Sequence, residues 1–138
     1  MTKQSAKNCV ILIDNAAGSP QNVSTDVTSY EIQQDAGPID VTGFSDGSKN
    51  FIPGLPIVGV TFEFLYDTHT TSGATTILKG ILNSNTSKTV SVTPETAGEA
   101  FSGEFLLDAL TTKGTPDSSI GHGTCHFSVM GDTAPAWA

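Results

Sequence analysis

The chain has 138 residues, 37% hydrophobic and only 14% charged, which fits one domain whose core needs no metal or disulfide staple. Fourteen acidic residues stand against six basic ones, all lysine, for a formal charge of −8. Six scattered lysines cannot neutralise a row of phosphates, so wrapping a nucleic acid is excluded. The longest apolar run, Cys9 to Ile13, is far too short to span a membrane.

The charged share is about half the usual one, and small polar residues take its place. Such a surface points to partial coverage by another molecule, since a free monomer carries more charge. The acidic balance has two readings: solubility, or an acidic wall past which something anionic must slide without sticking. Cys9 and Cys125 do not make a disulfide framework, and the polar start of the chain has no apolar segment of a secretion signal. A reducing cytoplasm with free, buried thiols is the expectation.

Strand signals dominate in chain order. Cys9 to Asp14 is short, apolar and β-branched, and breaks at Asn15 to Pro20. Val23 to Gln34 carries a second strand, with Val27, Ser29, Glu31 and Gln33 on one face. Between Asp35 and Pro56, glycines and prolines preclude much regular structure, yet Ile39, Val41, Phe44, Phe51, Ile52 and Leu55 lie there. A flexible linker would lack them, and long loops in compact domains are usually functional. The segment is either a hairpin tucked under the domain or an arm that buries these residues on a neighbouring subunit.

Ile57 to Asp67 is the clearest strand, with Val58, Val60, Phe62, Phe64 and Tyr66 at period two. Ser72 to Asn83 is expected to be helical, with Ile77, Leu78, Ile81 and Leu82 as its apolar stripe and Ser72 as its N-cap. Thr89 to Val92, Glu99 to Leu110 and Thr124 to Met130 complete the strands. In the second of these, Phe101, Phe105, Leu107 and Ala109 share a face. The expected fold is mostly β: a β-sandwich or curled antiparallel sheets with one short flanking helix, spanning 1–138 as a single domain.

Catalytic patterns are missing. His122 and His126 share a strand face about 13 Å apart, with Cys125 on the opposite face, so the three form no tetrahedral metal site. There is no phosphate-cradling glycine loop with a lysine and no nucleophile elbow. No enzyme activity, no cofactor and no metal are expected.

Asp40-Val-Thr-Gly-Phe-Ser-Asp46 and Lys49-Asn-Phe-Ile-Pro-Gly-Leu55, followed by a long alternating strand and a short helix, resemble the major tail (tail tube) proteins of long-tailed bacteriophages. In order of elements the likeness covers most of the chain. It implies a virion protein that stacks as rings, six subunits being usual, around a lumen through which DNA passes without specific binding. It implies assembly in the host bacterial cytoplasm, with partners that are copies of itself and other tail or neck proteins, and no membrane. Ile39, Val41, Phe44, Phe51, Ile52, Pro53, Gly54 and Leu55 become candidate subunit contacts. Glu63, Glu104 and Asp108, on strand faces turned from the apolar residues, become candidates for an acidic lumen. A capsid decoration (cement) protein, or a neck or tail completion protein, is the alternative.

Overall fold

The computed structural model describes residues 6–67, 73–95, 98–116, 120–131 and 133–138. A 3-10 turn at Ala6–Asn8 precedes β1 (Val10–Asp14), β2 (Pro20–Asn22) and β3 (Val27–Asp35). A hairpin of β4 (Ile39–Asp40) and β5 (Phe51–Ile52) follows, then β6 (Ile57–Leu65) and α1 (Ala74–Ile81). The chain ends with β7 (Lys88–Thr93), β8 (Phe101–Lys113), β9 (His122–Val129) and β10 (Ala136–Trp137).

Eight strands form one continuous sheet in the order β2-β1-β7-β8-β9-β6-β3, with β10 beside the start of β8; β4 and β5 pair separately. Every neighbouring pair is antiparallel. The sheet curls because β8 belongs to both of its halves. Residues Phe101 to Phe105 pair with β7, and residues from Phe105 to Lys113 pair with β9. A bulge at Asp108, between Leu107 and Ala109, adds twist where the strand changes partners.

One face of this curled sheet encloses one apolar core. Ile11 and Ile13, Val90 and Val92, Phe101, Phe105, Leu107, Cys125, Phe127 and the alternating Val58, Val60, Phe62, Phe64 all point into it. The period-two pattern of β6 is what places its four side chains there. Phe127 lies edge-on to both Phe62 and Phe105, with centroids 5.9 and 6.5 Å apart, a geometry that favours the ring quadrupoles. Helix α1 closes the open side with Ala74, Ile77, Leu78 and Ile81.

The helix is shorter than its apolar stripe predicts, and Ser72 lies outside the described residues. Gly73 occupies the N-cap with no side-chain bond of its own, and Asp26 acts at long range, its carboxylate accepting the Ala74 N–H at 3.1 Å. Lys88 is buried on the core face, but its stem carries Nζ out to the Ala16 carbonyl at 3.2 Å. Two expected face assignments fail for one reason. Bulges at Thr28 and Asp108 shift the phase, turning Val27 inward and Ala109 outward. Tyr66 lies beyond the end of β6 and is 41% exposed rather than core. Trp137 docks on its own chain, packed on Phe101 at 5.2 Å and donating to Gln34 at 3.2 Å.

Candidate functional site

The segment between β3 and β6 is a hairpin arm that touches little except itself. Its legs stay together at the base because Gly54 N–H reaches the carbonyls of Ala36 and Gly37, both at 3.0 Å. Gly37 has φ +59°, and a Cβ there would run into the Leu55 carbonyl, while a Cβ at Gly54 would meet the Gly37 carbonyl. Neither position tolerates a side chain without moving backbone. Toward the tip, Val41 N–H bonds the Asn50 carbonyl, Thr42 bonds Asp40, and Asp46 accepts the Gly43 N–H at 2.7 Å. The Gly43 N–H and then the Asn50 side chain hold Asp46 below the ordinary carboxylate range, and Thr42 does the same for Asp40. The arm tip is therefore ordered and firmly anionic, with Lys49 3.9 Å from Asp40.

The apolar residues of this arm are not tucked under the domain. Ile39, Val41, Phe51, Ile52 and Leu55 are exposed, Phe44 reaches 114% of the reference exposure, and Pro53 is exposed as well, Gly54 being half-buried. Ile57, where β6 begins, adds to the same patch. Isolated exposed apolar residues are normal, but here they run together along one hairpin.

The second feature is the outer face of the half-sheet β8-β9-β6-β3. Directly paired antiparallel residues share a face, so the register reads off its rows. Glu31, Thr61 and His126 make one row, with Ala109 beyond; Ser29, Glu63, Thr124 and Thr111 make the next. The face carries carboxylates and hydroxyls together with His126, and its end row is Leu65, His122 and Lys113. Glu63 accepts the Ser29 hydroxyl at 3.1 Å. Asp108, thrown outward by its bulge, sits 2.8 Å from His126 Nδ1 and accepts the Ser128 hydroxyl. Partial burial works against its charge, but Ser128 and His126 outweigh that and hold the carboxyl below its ordinary value. The register thus brings Glu63 and Asp108 together with Glu31, which the sequence did not single out. Glu104 is exposed on the other half of the sheet, where it accepts the Thr89 hydroxyl at 3.0 Å.

The same half-sheet has two unpaired edges among the described residues. Strand β3 pairs only with β6, and β8 beyond Phe105 pairs only with β9. Long open edges are templates for pairing with another chain. Nothing in the hydropathy pattern signals them, because an edge is a property of topology.

His122 and His126 lie on the outer face and Cys125 in the core, 1% exposed. Among the described residues no group of three or more His, Cys, Asp or Glu could hold a metal ion, and no helix is long and apolar enough to cross a membrane.

No protein-family model and no curated protein matches the chain. Solved structures do. The chain is similar to one in the virion of a native gene transfer agent particle, at 13% identity, TM-score 0.79 and 99% coverage of both chains. It is similar to one in the tail of an empty gene transfer agent particle with C6 symmetry, at 15% identity, TM-score 0.80 and 99% coverage of both. The SPP1 tail tube matches at 8% identity and TM-score 0.70, over 90% of this chain and 74% of that one. The fold is that of tail and tail tube proteins, as the resemblance in the sequence implied.

Proposed function

We propose that the protein is a structural subunit of a tail tube, self-assembling into stacked rings that surround a passage for DNA. The observation that carries this reading is the pair of open edges on one half-sheet. Successive strands β8, β9, β6 and β3 alternate in direction, so β3 of one copy meets β8 of a rotated copy antiparallel. Repeating that contact by rotation is a heterologous interface that closes into a ring. Each copy adds four strands to a continuous barrel, joined by backbone hydrogen bonds in a defined register. Six copies per ring is the natural expectation from the C6 symmetry of the gene transfer agent tail.

In that arrangement the polar face carrying Glu31, Glu63 and Asp108 lines the channel. A face dominated by lysine would bind phosphate at every ring, whereas here three carboxylates stand against Lys113 in the end row, and their excess repels the duplex and keeps water between it and the wall. The arm buries its apolar residues on neighbouring copies. Other partners are the tail or neck proteins at the tube ends; the protein needs no cofactor, catalyses nothing, and resides in the virion tail after assembly in the bacterial cytoplasm. Electron microscopy of the concentrated protein should show rings or tubes with a central channel. A protein that stays monomeric at high concentration, and is missing from tails, would sink the reading. Trimers seated on heads without tails would point to the decoration alternative.

A further inference from the structure

The residues after β9 lie back across the start of β8 as a strap. Pro135 is buried flat against β8, where a Cβ at Gly103 would stand 2.6 Å from its ring. Glycine at 103 is what leaves room for that ring. Beyond it β10 pairs antiparallel with β8, Ala136 beside Ser102 and Trp137 beside Phe101. Ala138 and Ala100 then exchange both backbone hydrogen bonds at 2.9 Å. The Trp137 ring packs on Phe101 at 5.2 Å, and its indole N–H crosses to the Gln34 side chain on β3 at 3.2 Å.

Strand β3 is the part of the sheet that such a fastening serves. No residue of β3 is fully buried, and Gln33 to Asp35 at its end are all exposed. It has a ladder to β6 on one side and, among the described residues, no strand on the other. Gln34 pairs with Val58, whose side chain is in the core, so the Gln34 side chain stands on the core side of the sheet. Phe101 belongs to the half that pairs with β7, whereas β3 ends the other half. Trp137 therefore bridges two strands that no backbone ladder joins. An edge strand with few buried contacts opens easily, and a frayed edge offers a partner strand no fixed register.

We propose that the strap is a latch for the β3 edge: Pro135 seated on Gly103 and Trp137 joined to Gln34 hold the end of β3 in strand form, ready to pair with a second copy. With the strap off β8, the same residues fray and rings close less readily. The contribution is preorganisation, since ordering β3 beforehand removes that cost from the encounter. The proposal rests on the tube reading above for what the edge meets, whereas the hold of the strap on β3 lies within one chain.

The test follows β3, the strap and ring formation separately. Gln34→Ala removes the acceptor and leaves the strap in place, while Gly103→Ala unseats Pro135 without touching β3. Hydrogen exchange of the β3 amides should run about tenfold faster in both, with α1 and β7 unchanged, as a local opening gives. Trp137 is the one tryptophan in the sequence, so its fluorescence reports the strap alone. Acrylamide should quench it more in Gly103→Ala than in the unaltered protein, where the residue is 41% exposed. Trp137→Phe, which keeps a ring against Phe101 but has no N–H to donate, should exchange as Gln34→Ala does. The concentration at which rings appear in electron micrographs should rise about tenfold in all three variants. Exchange of β3 at the ordinary rate in Gln34→Ala and Trp137→Phe would overturn the latch and leave the tube reading standing. Faster exchange with rings at the ordinary concentration would equally overturn it and leave the strap a role in stability alone. An unaltered protein that forms no rings would overturn the tube reading and, with it, the role in ring closure given to the strap.

Discussion

Asp108 owes its position to a single extra residue in β8. The bulge turns its carboxylate outward between His126 Nδ1 and the Ser128 hydroxyl, and those partners depress its pKa. A depressed carboxylate contributes stability that is complete above the ordinary value near 3.9 and lost as pH falls through the folded value. Asp108→Asn should therefore cost about 0.5 kcal/mol at pH 7, the group being over a third exposed. The gap between the two melting curves should close as pH drops below about 3.9; a gap that widens instead would contradict the assignment. The thiols offer a second check. Burial pushes Cys125 up to about 12 and raises Cys9, so little thiolate exists at pH 8. Alkylation of the native protein should spare Cys125, and denaturant should expose both cysteines.

At the scale of elements, the arm and α1 have opposite dependences. The helix is fastened to the core by Ile77, Leu78 and Ile81 and capped by Asp26 from another part of the chain. Asp26→Ala should lower the melting temperature by the equivalent of roughly 1 kcal/mol, as loss of a cap does. The arm, by contrast, leaves its apolar residues exposed in the isolated chain. Phe51→Ala and Ile52→Ala should leave melting unchanged while each weakens association by about 2–4 kcal/mol, read by sedimentation. Normal assembly with lowered melting would instead place the arm in the intramolecular core.

At the scale of the whole molecule, one core holds a sheet that bends across itself. Phe127 sits where the two halves meet, 0% exposed and edge-on to two other rings. Phe127→Ala should cost about 3–5 kcal/mol, visible as a large fall in the denaturation midpoint. The charge of the outer face is a property of the assembly. Glu63→Lys, and separately Asp108→Lys, should permit tubes yet slow or stall DNA ejection. Glu104→Lys, on the other half of the sheet, should not slow it. Charge reversal at Glu63 that blocks assembly but spares ejection through the few tubes formed would mark an interface instead of a lumen.

The mostly β fold, the core face of β6 and the apolar stripe of α1 were legible in the sequence, because periods of two and about 3.6 are written directly into residue order. So was the oddity of the segment from Asp35 to Pro56, whose glycines and prolines coincide with large apolar residues. The likeness to tail tube proteins was legible in the motifs on that segment, and the fold agrees with it. The residue order did not disclose the two bulges, since one extra residue shifts the phase without altering composition, and Val27 and Ala109 changed faces with it. Nor did it disclose that Asp108 pairs with His126 while Glu104 stands apart, because partners across strands depend on register. Only the tertiary structure decided that the arm stands clear of its own domain and that, among the described residues, one half-sheet keeps two open edges. Exposure and edges belong to the arrangement of elements in space, and no local pattern encodes them.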